Sequence, residues 1–206
     1  MDIRFGTSGW RAVIADQFSF SQAAVARSVA TSHLVDRVAK ARGCEVYETP
    51  VGFKYIGELI NEDKIILGGE ESAGLSIKGH YPEKDGILAC LLAAEAVAAR
   101  NASLSDQLAD LFARVGRVES GRIGVRLTSD LMSALPGKLQ NQPEEVAGQR
   151  VEHVNRLDGT KLIFTDGSWL LMRPSGTEPL VRIYAEAETV EKVEVLLEQG
   201  RKYLLG

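Results

Sequence analysis

Two arginines, two hydroxyl side chains and a glycine lie within ten residues in the last fifth of the chain. Residues 173–179 read Arg-Pro-Ser-Gly-Thr-Glu-Pro, and Arg182 follows three residues later. Guanidinium forks, hydroxyls and a bare glycine N–H are donors that can converge on a phosphomonoester dianion. Residues 168–172 and 180–185 have strand composition, which predicts a phosphate-binding loop between paired strands, with Gly176 permitting the tight reversal. The alternative is an ordinary turn with solvated arginines.

A second polar segment, at residues 68–74, reads Gly-Gly-Glu-Glu-Ser-Ala-Gly and follows the apolar run 64–67. It therefore lies at the end of a predicted buried strand, which is where ligands of open α/β sheets bind. Glu70 and Ser72 place a carboxylate and a hydroxyl two residues apart, which suits the vicinal hydroxyls of a sugar. His80 and the sequence Glu-Lys-Asp-Gly at residues 83–86 follow a few residues later.

Four segments of the chain resemble, in order, landmarks of the α-D-phosphohexomutases, the phosphoglucomutase and phosphomannomutase family. They are Phe-Gly-Thr-Ser-Gly-Trp-Arg at 5–11, Thr-Pro-Val-Gly-Phe-Lys-Tyr-Ile-Gly at 49–57, residues 69–72 with 83–86, and the loop at 173–179. The resemblance implies a mutase that moves phosphate between O1 and O6 of a hexose through a bisphosphate intermediate. Glu-Glu-Ser rather than Glu-Met-Ser at 70–72 is more similar to the phosphoglucomutase branch, which favours glucose over mannose.

The resemblance also implies roles for individual residues. The implied sugar site consists of Val51, Gly52, Glu70 and Ser72. The implied site for the non-reacting phosphate consists of Arg173, Ser175, Gly176, Thr177 and Arg182. His80 and Lys84 would line the catalytic cleft, where they could steady a phosphate or help proton movement, although a surface ion pair is the alternative for Lys84. Arg11 borders the active centre in the family.

Two further family landmarks do not occur in the 206 residues. They are a Thr-Ala-Ser-His-Asn-Pro-like loop with the phosphorylated serine and an Asp-Gly-Asp-x-Asp-Arg-like loop that holds magnesium. Residues 16–20 resemble the opening of the family's first domain and lead almost directly into residues 25–32, which resemble the first strand of its third domain. We therefore expect a remnant of the first domain at 1–22, a third-domain-like sugar-binding domain at 23–117 and a fourth-domain-like phosphate-binding domain at 118–206.

No catalytic residue and no metal ligand can be assigned. Thr-Ser-His at 31–33 is followed by helical spacing, so Ser32 is interpreted as an N-cap rather than a phosphoserine. Metal sites need clustered carboxylates, whereas the Asp-Gly pairs at Asp85, Asp158 and Asp166 are isolated and mark turns or a helix start. We therefore expect no cofactor in this chain, although the intact family uses magnesium and a hexose bisphosphate activator.

Three functional hypotheses remain open. The first is a truncated mutase, which alone should be inactive or nearly so unless a complementing chain carries the missing domains. The second is a non-catalytic module that binds hexose phosphate. The third is a structural remnant or an engineered deletion whose loops fold without a shared function. Hexose phosphate is the expected small-molecule partner in the first two cases.

Composition argues against other partners. The formal charge of −4 with interspersed basic residues gives no electrostatic footprint for nucleic acid. The longest apolar stretch, residues 86–99, contains Glu95 and is too short to span a bilayer. No signal-peptide pattern is present, so a cytoplasmic location is expected. Cys44 and Cys90 are expected to be buried free thiols.

Periodicity predicts two structural patterns. The first half is expected to form a parallel-sheet α/β/α domain, with strands at 25–31, 44–48 and 64–68 and helices at 33–42, 54–61, 85–100 and 103–115. A hinge is expected between 115 and 121. The second half is expected to be an α+β domain with an antiparallel sheet. Its strands are predicted at 122–127, on both sides of a two-residue hairpin at Asp158-Gly159, at 169–172 and at 181–185.

Two helices are predicted in the second half, at 130–139 and 190–204, with Pro136 bending or shortening the first. Residues 140–145 are predicted to form a loop. The apolar side chains of the first twenty residues are expected either to pair with an edge of the first α/β domain or to be poorly ordered. An exposed apolar edge there could drive dimerisation.

Overall fold

The computed structural model of the chain describes residues 24–176 and 178–206. The expected first-domain remnant at 1–22, with Arg11, and the phosphate-loop residue Thr177 therefore lie outside the described residues. The chain divides into two compact units between Gly116 and Arg117. These are called the N-terminal unit and the C-terminal unit below.

The N-terminal unit is built on a four-stranded sheet. Its elements, in chain order, are β1 (Ala24–Ser28), α1 (Leu34–Ala41), β2 (Glu45–Thr49), α2 (Phe53–Asn61), β3 (Leu67–Gly69), β4 (Leu75–Ile77), α3 (Gly86–Arg100) and α4 (Leu104–Val115). The strand order is β2-β1-β3-β4, with β1 parallel to both β2 and β3. The predicted β-α-β-α-β unit is confirmed.

The sheet is not entirely parallel, however, because β4 runs antiparallel to β3. The sequence prediction did not include β4. Three residues are too few to display an alternation of buried and exposed side chains, and this strand is held by its pairing with β3 rather than by its own pattern.

Helix α2 packs closely against the sheet. Phe53, Ile56 and Ile60 of α2 are buried together with Ala24 and Ala26 of β1. The contact is closest at Gly68, where an added Cβ would lie 2.3 Å from Ile56 Cγ2. The polar loops at the ends of these strands therefore stand on a tightly packed base.

Polar side chains hold the helix starts. Ser32 Oγ accepts a hydrogen bond from the Leu34 N–H at 3.0 Å, but the N-cap residue of α1 is His33, so the N-cap predicted at Ser32 was one residue early. Ser103 Oγ accepts from the Asp106 N–H at 3.1 Å, as the sequence predicts. Because these bonds satisfy donors that have no partner inside the helix, they fix where α1 and α4 begin.

Helix α3 is apolar on several faces. Leu88 is its buried side chain, whereas Ile87 is 76% exposed and Leu91 is 55% exposed. Cys90 on the same helix is also exposed and Cys44 is half-buried, so the expectation of two buried thiols was wrong, although both are free. Apolar composition alone did not specify which face of α3 the sheet covers.

No single helix among the described residues has the length and composition to cross a membrane. Helices α3 and α4 meet that criterion only when taken together, and they are bent by 78° at the break between them.

The C-terminal unit contains a six-stranded antiparallel sheet. Its elements are β5 (Glu119–Arg126), α5 (Ser129–Gln140), β6 (Glu145–Val146), β7 (Gln149–Asn155), β8 (Thr160–Phe164), β9 (Trp169–Pro174), β10 (Leu180–Ala187) and α6 (Val190–Leu205). The strand order is β5-β10-β9-β8-β7-β6, and each neighbouring pair is antiparallel. The predicted α+β domain with an antiparallel sheet is confirmed.

Both helices of this unit contribute side chains to one core. Its buried members include Leu135 and Leu139 of α5, Val193 and Leu196 of α6, and Leu162, Leu170 and Ile183 of the sheet. Successive strand residues point to opposite faces. The neighbours of these core residues in β9 and β10 therefore lie on the face turned away from the helices.

Three details of the second half differ from the prediction. Helix α5 continues through Pro136 to Gln140, because Leu135 and Leu139 on either side of the proline are buried in the core. Glu145, predicted as the last residue of a loop, instead begins the short strand β6 (Glu145–Val146). The turn between β7 and β8 spans Arg156 to Gly159, which is longer than the two-residue hairpin predicted there.

Candidate functional site

The predicted sugar-binding residues lie at the carboxyl ends of the parallel strands. Strands β2 and β3 end at Thr49 and Gly69, and the polar loops 50–52 and 70–74 follow them. Because both strands are parallel to β1, their carboxyl ends share one edge of the sheet. The two loops are in direct contact, since the Gly52 N–H donates to Glu70 Oε1 at 2.8 Å.

The hydrogen bond between Gly52 and Glu70 determines which of their polar groups are left to bind a sugar hydroxyl. Gly52 has φ of 134°, a backbone conformation that only glycine adopts readily, and it is the N-cap residue of α2. Its N–H is already bonded to Glu70, so the sugar-facing group of the pair would be the second carboxylate oxygen, Oε2. That oxygen lies 3.5 Å from the position that a Cβ on Gly74 would occupy.

Lys84 also lies beside Gly74, next to Glu70. A Cβ on Gly74 would lie 3.4 Å from Lys84 Cδ, so the Lys84 stem and Glu70 flank this glycine. The Lys84 ammonium lies 2.8 Å from Glu83 Oε1, and this hydrogen bond, with the charge of Glu83, raises the pKa of Lys84. The side chain is 56% exposed. Lys84 therefore forms a surface ion pair with Glu83 and also places a cation beside the loop at residues 70–74.

His80 is held by the residue that begins α3. Its Nε2 lies 3.0 Å from Asp85 Oδ2, while Asp85 Oδ1 accepts from the Ile87 and Leu88 N–H groups at 2.9 and 3.1 Å. The Leu88 N–H and then the His80 ring lower the pKa of Asp85. Asp85 therefore remains ionised at neutral pH and holds the imidazole through one of its ring nitrogens.

Ser72 and Val51 complete the predicted sugar set. Ser72 is exposed, and its hydroxyl has no hydrogen-bond partner within the described part of the chain. Val51 is half-buried beside Gly52. The structure thus joins Gly52 to Glu70 and places Glu70 and Lys84 beside Gly74, whereas it shows no contact from Ser72 to any of them.

A further polar cluster at this edge was not predicted. The buried Ser28 hydroxyl donates to Glu71 Oε2 at 3.1 Å and lies 2.9 Å from the Thr31 hydroxyl oxygen. The available signal was two hydroxyl residues at the carboxyl end of β1, since Ser28 is its last residue and Thr31 follows three residues later. The cluster ties the loop at residues 70–74 to β1, at the centre of the sheet.

The C-terminal unit places the two predicted phosphate-binding arginines side by side. Arg173 on β9 is directly opposite Arg182 on β10 in the antiparallel register. Directly paired residues project to the same face, so two guanidinium groups extend from adjacent positions. Like charges at this spacing repel each other, and a bound anion would remove that repulsion.

Asp158 orients one of these arginines. Its Oδ2 accepts from Arg173 Nε at 2.7 Å, and both side chains are largely buried. The turn that carries Asp158 lies close against β9, because a Cβ on Gly159 would come within 2.6 Å of the Met172 carbonyl oxygen. The sequence predicted only a turn here. Spacing along the chain does not reveal that this turn packs against the strand of Arg173.

The loop between the arginines is closed by backbone hydrogen bonds. The Ser175 N–H donates to the Leu180 carbonyl at 2.8 Å, and the Leu127 N–H donates to the Pro179 carbonyl at 3.3 Å. The first turn of α5 lies beside the loop, and between them is an open cleft of about 660 Å³ lined by Leu127, Thr128, Ser129, Met132, Ser175, Gly176, Glu178 and Pro179. The prediction of a loop between paired strands is confirmed.

The reason given for Gly176 was wrong. Its φ is outside the left-handed region, so the reversal does not need a glycine at this position. An added Cβ would meet no atom within 4 Å. The open space beside Gly176 is instead available to a ligand that approaches the backbone closely.

Comparison with known proteins identifies both units. Residues 11–115 match the model of the phosphoglucomutase/phosphomannomutase alpha/beta/alpha domain III, and residues 123–202 match that of the C-terminal domain of the same proteins. The chain belongs to the phosphoglucomutase/phosphomannomutase family. The resemblance inferred from the four sequence segments is thereby confirmed.

Similar proteins carry several mutase names. The phosphoglucomutase/phosphomannomutase of Thermococcus kodakarensis is 32% identical over 182 residues, covering 86% of this chain and 37% of that protein. A protein of Methanothermobacter thermautotrophicus named as a phosphoglucosamine mutase is 34% identical, covering 86% and 38%. A crystal structure from Thermus thermophilus, described as a phosphomannomutase, is 33% identical with a TM-score of 0.74 and covers 95% of this chain and 39% of that one.

The chain thus spans less than two-fifths of the length of these relatives. The part that it shares is the third and fourth domains of the family. The fold of both units is accounted for by this relationship, whereas the activity of the whole relatives belongs to proteins with additional domains.

Proposed function

We propose that these residues form the sugar- and phosphate-recognition half of a phosphohexomutase and bind hexose phosphates without catalysing phosphate transfer alone. The observation that carries the proposal is the direct pairing of Arg173 and Arg182 beside the Ser175–Gly176 backbone. Two guanidiniums held on one face, with an open loop between their strands, suit the oxygens of a phosphomonoester.

Asp158 would prepare the site for this ligand. Because Arg173 donates its Nε to Asp158, its terminal nitrogens remain for the phosphate, in the fork geometry that binds two oxygens together. The Ser175 hydroxyl and the backbone at Gly176 would add further donors. Two or three charge-assisted hydrogen bonds of roughly 1.5–3 kcal/mol each, reduced by the cost of binding, support an affinity of order millimolar, or about −4 kcal/mol.

The N-terminal unit would recognise the sugar. Glu70 is held rigidly by the Gly52 N–H, which leaves its Oε2 to accept from a sugar hydroxyl. Ser72 and Lys84 offer a hydroxyl and an ammonium in the same loop region, and His80 would steady a phosphate group. Which hexose fits best is open, since the relatives are named for glucose, mannose and glucosamine phosphates, although Glu-Glu-Ser favours glucose.

Catalysis needs groups that these residues do not supply. The family's phosphoserine loop is not present in the sequence, so no donor exists for the phosphate that the reaction transfers. Magnesium does not fit either, because the Asp-Gly carboxylates have other partners: Asp85 caps α3, Asp158 binds Arg173 and Asp166 binds Ser168. No group of three or more metal-ligand side chains exists among residues 24–176 and 178–206.

A partner could restore the reaction. A complementing chain with the phosphoserine and magnesium loops would supply the missing half, and dimerisation of this chain is a second arrangement. Without such a partner, the chain acts as a binding module for hexose phosphate in the cytoplasm. A structural remnant without ligand binding is the alternative that the following experiment separates.

Isothermal titration calorimetry with glucose 6-phosphate and with inorganic phosphate tests the proposal. Wild-type protein should bind glucose 6-phosphate saturably and more tightly than phosphate. Arg173→Ala should weaken both ligands about 10- to 100-fold, because it removes charge-assisted hydrogen bonds. The matched control is Arg201→Ala, which removes an arginine that pairs with Glu198 on the exposed side of α6.

The outcomes separate the hypotheses. Equal affinities of the Arg173→Ala and Arg201→Ala variants would show that the arginine pair is not the phosphate site. Glu70→Gln should leave inorganic phosphate binding unchanged, because Glu70 is assigned to the sugar and not to the phosphate. If wild-type protein binds neither ligand at millimolar concentration, the chain is a folded remnant and the proposal fails.

A further inference from the structure

A third arginine lies on the same sheet face as Arg173 and Arg182. Arg126, the last residue of β5, is directly opposite Leu180, and Arg182 is directly opposite Gly124. Since residues two apart in a strand project to one face, Arg126 is on the face of Arg182, diagonally across from it. Val125 between Gly124 and Arg126 is buried in the core and confirms the alternation.

Arg126 also borders the phosphate loop. The next residue, Leu127, donates its N–H to the Pro179 carbonyl at the end of that loop. Gly124 contributes no side chain between Arg126 and Arg182, and the Leu180 side chain lies over it, with Cδ1 3.1 Å from the position of an added Cβ. Diagonal neighbours in an antiparallel pair remain within reach of long side chains.

The charges of this region are unbalanced. Arg126 and Arg182 form no ion pair with any described residue, whereas Arg173 is paired with Asp158. Arg126 is exposed and Arg182 is half-buried. The loop carboxylate Glu178 lines the cleft toward α5 together with Thr128 and Ser129. Arg126, Arg173, Arg182 and the carboxylate of Asp158 together carry a charge of +2.

We infer that Arg126 is a specificity-determining residue of the phosphate site and selects a dianionic phosphomonoester over a monoanion of the same shape. This inference rests on the proposed phosphate site of Arg173 and Arg182. A dianion matches the two uncompensated guanidiniums, whereas a monoanion leaves one of them facing a like charge without a partner. The loop backbone recognises the shape of the group, and Arg126 responds to its charge.

The test compares glucose 6-phosphate with glucose 6-sulfate, which is a monoanion of nearly the same shape, by calorimetry at pH 8. Arg126→Ala should weaken glucose 6-phosphate about five-fold and glucose 6-sulfate less, so that the preference for phosphate falls. Arg122→Ala is the matched control, since Arg122 is on the same strand and face, opposite Tyr184. It is four residues, or about 13 Å, farther from the loop. It should leave the preference within two-fold of wild type.

The results distinguish failure of the Arg126 inference from failure of the proposed function. If Arg126→Ala keeps the wild-type preference while Arg173→Ala loses binding, the inference is wrong and the proposed phosphate site stands. If Arg122→Ala and Arg126→Ala reduce the preference equally, the effect is the general charge of the face, which also overturns the inference. If wild-type protein binds neither ester, the proposed function itself fails. Thermal melting of both variants checks that the sheet is intact.

Discussion

Gly159 and Gly176 of the C-terminal unit differ in whether folding requires glycine at the position. Gly159 has φ of 91°, and an added Cβ would lie 2.6 Å from the Met172 carbonyl oxygen, so both its backbone and its surroundings require glycine. Gly176 has neither constraint. Neither backbone conformation nor packing therefore accounts for Gly176, and the proposed phosphate site would use the open space for access of the ligand.

Alanine at position 176 should consequently affect binding without affecting stability. We expect Gly176→Ala to change the free energy of unfolding by no more than about 0.5 kcal/mol, as for an unconstrained surface position. The added methyl group would occupy space that the phosphate needs, so glucose 6-phosphate binding should weaken about ten-fold or more. Urea denaturation and calorimetry measure the two effects separately.

The reverse pattern is expected at position 159. Gly159→Ala should destabilise the protein by about 1–3 kcal/mol, because it forces a strained φ and a contact with the backbone of β9. If Gly176→Ala leaves phosphate binding unchanged, ligand access does not explain the glycine at position 176. This conclusion does not depend on the stability of Gly159→Ala.

Residue types led to the prediction of a phosphate site at Arg173 and Arg182, but they did not reveal the neighbouring groups that the structure places around these arginines. Arg173 and Arg182 were identified from donor chemistry and spacing alone. Asp158 and Arg126 were not, because each belongs to a different hairpin or strand and reaches the site only through the sheet register. Register depends on pairing across long stretches of chain, which no local pattern in this sequence specifies.

At the scale of single elements, the start of α3 joins a structural role to the candidate sugar site. Asp85 caps the helix through Oδ1 and binds His80 through Oδ2. The Leu88 N–H and His80 lower the pKa of Asp85 below its ordinary value, so the folded state favours the ionised carboxylate. The contribution to stability is complete above the unfolded pKa of about 4 and is lost as pH falls through the lower folded value.

Asp85→Asn should therefore flatten the acid dependence of stability. Asparagine is also a good N-cap, so the helix start should survive at neutral pH, while the titrating charge is removed. As pH falls below about 4, the midpoint of urea unfolding should fall less steeply in the variant than in wild-type protein. Asp85→Ala serves as the comparison, since it removes both the cap and the charge and should lower the midpoint at pH 7 as well.

Equal acid slopes in wild-type protein and in Asp85→Asn would contradict this account. Such a result would mean that the carboxylate of Asp85 gains nothing from folding, and that His80 is positioned by other contacts.

Long periodic elements were predictable, whereas elements that depend on neighbours were not. Helices α1, α2, α4 and α6 and the strands of the β-α-β-α-β unit lie within a few residues of their predicted bounds. Strand β4 was missed because three residues carry no pattern, and Pro136 proved compatible with α5 because buried leucines hold the helix on both sides. In both cases tertiary packing outweighed the local signal.

At the scale of the whole molecule, the chain contains two domains of the family. The chain matches domain III and the C-terminal domain and spans about a third to two-fifths of the length of its relatives. The proposed sugar- and phosphate-binding loops lie in these two domains, so the proposal assigns ligand binding to them. Each unit has its own hydrophobic core, so its loops do not need the rest of the family fold to exist.

The strongest consequence is that purified chain should not interconvert hexose phosphates. With glucose 1-phosphate as substrate, magnesium and glucose 1,6-bisphosphate present, and glucose 6-phosphate detected by a coupled dehydrogenase, turnover should not exceed the signal of heat-denatured protein. The physical reason is that the sequence has no phosphoserine loop to hold the phosphoryl group between its departure from one oxygen and its delivery to the other. An intact mutase added to the same mixture verifies that the assay works.

If the mutase assay detects turnover, comparison with Arg173→Ala shows where the activity comes from. If wild-type protein shows turnover and Arg173→Ala shows none, catalysis belongs to this chain, and the division between recognition and transfer is wrong. If both proteins show the same residual rate, the activity comes from a contaminating mutase, because that enzyme is unaffected by the substitution. Turnover that appears only when a second chain with the phosphoserine and magnesium loops is added would identify these residues as one half of a split enzyme.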